Sequence, residues 1–140
     1  MTQQEASLAR KDIWGSIYTA VDMSYYIGEG LTHYKTMPEE DDIDVFRKRQ
    51  YKCSINENID RVISAEASLL SKLKTYINTK TSRCIILNHF NAVCDRNFKM
   101  GLLYHSRDFD AETYNQLDES YTYNMRELHK EIEKELMGDE

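Results

Sequence analysis

Chain breakers are scarce in this sequence, with five Gly and a single Pro spread over 140 residues. The frequent turns of a β-sandwich or β-barrel need more of both, so long uninterrupted helices are the outcome favoured. Periodicity agrees. The clearest stripe runs through Tyr114, Leu117, Tyr121, Met125, Leu128, Ile132 and Leu136. Its 3-4-4 spacing repeats after eleven residues and keeps one apolar face nearly straight along a helix axis.

Three other segments carry helical signals. Thr2 and Glu5 form a capping box ahead of Trp14, Ile17, Val21, Ser24, Gly28 and Leu31. This predicts a first helix from about residue 3 that weakens near Gly28 and Gly30, since Gly costs ~1 kcal/mol against Ala inside a helix. Pro38, followed by Glu39, Glu40, Asp41, Asp42 and Asp44 and then by Arg47, Lys48, Arg49 and Lys52, predicts a short helix over about 38–52. Its acids and bases complement its own macrodipole, and Thr36 with Glu39 offers its cap.

Ser54 and Glu57 make another box, before the stripe Ile55, Ile59, Val62, Glu66, Leu69, Leu73 and Tyr76. Two helices hinged near Cys53 are expected here, with one continuous helix as the alternative. A third long helix over about 82–105 turns Ile86, Phe90, Val93, Asn97, Met100 and Tyr104 inward, and Asp110 is placed to cap the last one. Short connections make neighbouring helices antiparallel. The expected architecture is all-α: one domain, residues 1–140, an antiparallel four-helix up-and-down bundle with an extra short helix between the first two long ones.

The formal charge of −6 and a sequence pI near 5.3 repel phosphate backbones and make nucleic acid an unlikely partner. No stretch approaches the ~18 apolar residues of a membrane span, and the start lacks a basic region followed by an apolar run, so a soluble cytoplasmic protein with no membrane contact is expected. Cys53, Cys84 and Cys94 form neither a CxxC pair nor a metal-finger spacing. Free buried thiols are expected, without disulfide or structural zinc.

Polar residues on apolar stripes are the first candidates for function. Glu66 stands at the centre of its stripe, and antiparallel registration brings it level with Cys94, and Asn97 and Tyr121 within about one turn. A buried network of Glu66, Asn97 and Tyr121, with Tyr18 reaching the same layer, would either fix helix register or line a small-ligand pocket. On the outside, Leu8, Gly15, Thr19 and Tyr26 share one side of the first helix and Tyr123 points away from the stripe of the last. Exposed tyrosines beside small residues suit a protein-binding surface, with homodimerisation as the simplest version. Arg47, Lys48, Arg49 and Lys52 form the one basic patch, which as a third reading would make a nucleic-acid contact.

Catalytic templates fit less well. Glu29 precedes His33 by four residues and Glu133 follows His129 by four, yet neither pair lies on an inner stripe, so both read as surface pairs and no metal or cofactor is expected. The run Arg83-Cys84-Ile85-Ile86-Leu87-Asn88-His89 resembles the Arg, four to six residues, His pattern of helical ribonucleases of the HEPN type. That resemblance implies RNA cleavage by Arg83 and His89, although residues six apart are turned about 240° on a continuous helix and Cys84 stands where that family has a polar residue. The expected function is non-enzymatic: an adaptor, inhibitor or immunity-like neutraliser acting on another protein, with a basic partner suited to the acidic chain.

Overall fold

A computed structural model describes residues 1–137 of the chain. Four helices account for nearly all of them: α1 (Gln3–Thr36), α2 (Asp42–Tyr76), α3 (Lys80–Tyr104) and α4 (Ala111–Met137). They pack as a helical bundle, with no strand among the described residues.

Local chemistry sets the helix ends. Thr2 caps α1, its Oγ1 accepting from the Glu5 N–H at 3.1 Å. The helix runs through Gly28 and Gly30 without weakening. Both glycines are buried, and the packing there outweighs their poor helix propensity. Asp41 caps α2 by accepting from the Asp44 N–H at 2.8 Å, while Asp110 accepts from the Glu112 N–H at 3.1 Å at the start of α4.

The separate short helix over 38–52 is not formed. Pro38 lies outside any helix, α2 starts at Asp42, and it passes through Cys53 and Ser54 unbroken. The Thr36 hydroxyl bonds back to the His33 carbonyl oxygen instead of capping forward. An unbroken α2 keeps Ile55, Ala65, Leu69 and Leu73 buried along one line against α1, which a hinge at Cys53 would interrupt.

The core is built from Ile13, Ile17 and Val21 of α1, Leu69 and Leu73 of α2, Ile86, Phe90 and Val93 of α3, and Leu128 and Ile132 of α4. Its layers are unequal. α1 packs along both α2 and α3, and α3 along α4, whereas α1 meets α4 only sparsely and α2 has little contact with α3. α1 and α3 therefore form a central pair with α2 and α4 on its flanks. Residue numbers rise together on that pair, where Val21 meets Asn97 and Thr32 meets Leu102. They run in opposite senses between α1 and α2, where Asp12 meets Tyr76 and Ser16 meets Ser68, and between α3 and α4, where Ser82 meets Glu135 and Arg96 meets Ser120.

No helix among the described residues is long and apolar enough to cross a membrane.

Candidate functional site

A very close approach of two helices lies at one end of the central pair. A Cβ added to Gly28 would overlap the Phe98 carbonyl oxygen and come within 2.8 Å of the Leu102 nitrogen. One added to Gly101 would overlap the Tyr25 carbonyl oxygen and approach the Glu29 nitrogen at 3.1 Å. The two helices touch backbone to backbone here because neither carries a side chain at the crossing. Thr32 holds the register by donating to the Leu102 carbonyl oxygen at 2.7 Å.

That crossing juxtaposes three ligand-type side chains. Glu29 and His33 are one helical turn apart on α1, and His105 is the C-cap residue of α3. His105 Nε2 lies 3.0 Å from Glu29 Oε2, and the His33 and His105 rings are 5.1 Å apart between centroids. One ligand atom from each of Glu29, His33 and His105 lies within 4.8 Å of the other two. A groove of about 470 Å³ beside them is lined by Glu29, His33, Thr36, Met37, Pro38 and Tyr51. Burial, with the Glu29 charge second, raises the Tyr51 phenol above its ordinary value. On the other side of His105, Lys35, Lys99 and Arg107 border a mainly apolar groove of about 600 Å³ floored by Leu102, Leu103 and Leu117.

The Glu29–His33 spacing is visible in the sequence, where it has the look of an ordinary surface pair. The third member was missed, because nothing near His105 announces that it arrives beside a residue 76 positions earlier.

The network expected around Glu66 is not buried. Glu66 is exposed, Tyr18 is 54% exposed, and Asn97 uses its side-chain N–H to donate to the Val21 carbonyl oxygen at 2.7 Å. Tyr121 packs at the edge of the core. The registration does place these residues near one level: the Glu66 charge raises the Cys94 thiol, and Cys94 in turn raises the Tyr121 phenol, each as a minor cause beside burial. The reason Glu66 stays outside is lateral. α2 buries the side facing α1, and α3 does not close over the flank where Glu66, Ile59, Ile63 and Leu70 lie exposed. Tyr104, expected inward on α3, is likewise exposed, and it packs on His105, Phe109 and Tyr114. Cys53 and Cys84, expected to be buried, are exposed on helix flanks that no neighbour covers, and only Cys94 is partly buried.

The outer residues of the sequence reading fall where a partner can reach them. Leu8, Gly15, Thr19 and Tyr26 are exposed along α1, and Tyr123 is exposed on α4. Gly15 and Thr19 also border a groove of about 470 Å³ between α1 and α2, whose other walls include Ser16, Ser64, Ala65 and Ser68. Lys72 closes one end of it, donating to the Asp12 carbonyl oxygen and to Ser16 Oγ, both at 2.9 Å.

The basic cluster is divided. Lys48 pairs with Glu39 at 3.0 Å and lies over the Tyr34 ring, while Arg47, Arg49 and Lys52 are exposed. On one continuous helix Arg47 and Arg49 stand about 200° apart, so the four do not share a face. The two residues of the ribonuclease-like pattern also point to different neighbours. Arg83 donates to the Ile77 carbonyl oxygen at 2.6 Å at the end of α2, while His89 Nδ1 lies 2.9 Å from Asn124 Oδ1 on α4.

No known protein family, curated protein or solved structure matches the chain.

Proposed function

We propose that this chain is a non-enzymatic helical-bundle protein, its successive helices running up and down, that acts by binding another protein through the outer side of α1. The observation that carries this reading is the shallow groove at Gly15. A Cβ there would meet nothing within 4 Å, and Ser16, Ser64, Ala65 and Ser68 keep the walls low enough for a helix backbone to approach. Leu8 and Tyr26, exposed on the same side of α1, supply apolar area at either end. The formal charge of −6 favours a basic partner by long-range attraction. A second copy of the chain is the simplest alternative occupant.

Affinity capture from the source lysate with the wild type and a Gly15→Arg variant tests this. A partner recovered stoichiometrically by the wild type and lost with Gly15→Arg supports the reading. Recovery indifferent to Gly15→Arg and to Leu8→Asp overturns it. Light scattering on both proteins separates a homodimer, which dissociates in the variant, from a different partner.

A further inference from the structure

We propose that Glu29, His33 and His105 form a binding site for a divalent transition-metal ion of the zinc class, with water in the remaining coordination position. This site is independent of the α1 groove.

Two imidazoles and one carboxylate are a donor set that suits zinc and its neighbours in the transition series, and not the oxygen-only coordination preferred by magnesium or calcium. In a tetrahedral zinc site the ligand atoms are about 3.4 Å apart, given metal–ligand distances near 2.1 Å. Here Glu29 Oε2 and His105 Nε2 are already 3.0 Å apart, and all three ligand atoms lie within 4.8 Å of one another. His33 is exposed, so its side chain can turn toward that pair without unpacking the core.

Two features go beyond what a surface ion pair requires. A Glu29–His105 pair needs one imidazole, yet a second ring converges on the same carboxylate, its centroid 5.1 Å from that of His105. The backbone also favours a cation. His33 lies in the last turn of α1 and His105 caps the end of α3, and these helices run in the same direction, so the negative ends of two helix dipoles meet at the site. The contact at Gly28 and Gly101 and the Thr32 bond to Leu102 hold the two ends in that register before any metal arrives. The groove lined by Tyr51 and Met37 leaves room for the water. Bound there, the ion ties the end of α1 to the connection between α3 and α4.

The test is a titration of chelator-treated full-length protein with zinc chloride, in a Cys53→Ser, Cys84→Ser background because both thiols are exposed and thiolates are themselves zinc ligands. The chain has four histidines, so ring NMR can follow each of them once single His→Ala variants have assigned the signals. Binding of one equivalent that shifts the His33 and His105 rings, and leaves those of His89 and His129 in place, supports the proposal. His33→Ala and His105→Ala then each weaken binding more than about tenfold, while His129→Ala does not. The proposal is overturned if no saturable equivalent binds in the micromolar range, if the His89 or His129 ring shifts instead, or if binding survives in the His33→Ala, His105→Ala double variant.

Discussion

Gly15 and Gly28 lie on the same helix and do opposite things. At Gly28 the missing side chain lets α3 come into backbone contact, and the surroundings are so close that a single methyl group would displace a neighbouring helix. At Gly15 the missing side chain leaves a hollow with no atom within reach of a Cβ. One glycine sets the architecture and the other leaves a surface to be filled. Backbone contact arises at Gly28 because the facing residue, Gly101, is also without a side chain, whereas Gly30 is packed by the Ile55 side chain.

Several measurements can break or sharpen that contrast. The largest effect is expected in thiol chemistry on the crowded side of α1. Burial pushes the Cys94 thiol up to about 12 from an ordinary value of 9.0, partly opposed by a hydrogen bond with Ser24. At pH 8 its thiolate fraction is about a thousandfold below that of an ordinary thiol. Ellman's reagent is expected to modify Cys53 and Cys84 promptly and Cys94 only on unfolding. Three equally fast thiols would show that this side is open. The same shift makes Cys94 a source of alkaline destabilisation. Between pH 9 and 12 the unfolded chain has released a proton that the folded chain retains, so stability falls as pH rises through that window, and Cys94→Ala is expected to reduce the fall.

Gly28→Ala is expected to cost about 3 kcal/mol in chemical denaturation, since the clash with α3 backbone outweighs the gain in helix propensity. It is also expected to weaken zinc binding by at least about tenfold by spreading Glu29 from His105. A stability equal to wild type would mean that the backbone contact is not made. Gly15→Ala has the opposite sign: a gain of up to ~1 kcal/mol, from propensity alone. Any loss of stability in that variant would place an unseen neighbour in the groove. The smallest change is expected for Glu66→Leu, within ~0.5 kcal/mol by thermal or chemical unfolding, because the side chain stands in solvent. A loss of several kcal/mol would restore it to the interior.

Much of the helical pattern was legible in the chain. The Thr2 cap, the stripe of α4 and the inward face of α3 through Ile86, Phe90 and Val93 follow from spacing that repeats with the helical turn. The exposure of Glu66 is not legible there, because periodicity gives the direction of a side chain about its own axis and says nothing of whether a neighbouring helix covers that direction. The hinge expected at Cys53 is absent for a related reason. Ser54 and Glu57 have the spacing of a cap, yet buried contacts from Ile55 to Leu73 hold α2 in one piece. His105 was passed over because its partners lie far away in sequence.

By itself, then, the order of residues determined that the chain is helical, where most helices begin and end, and which stripe of each is apolar, since these depend on neighbours within about one turn. The tertiary structure decided which flanks are covered and which side chains converge. Those outcomes depend on the distance and register between helices, set here by Gly28 and Gly101, and no local pattern encodes a contact between residues 73 positions apart.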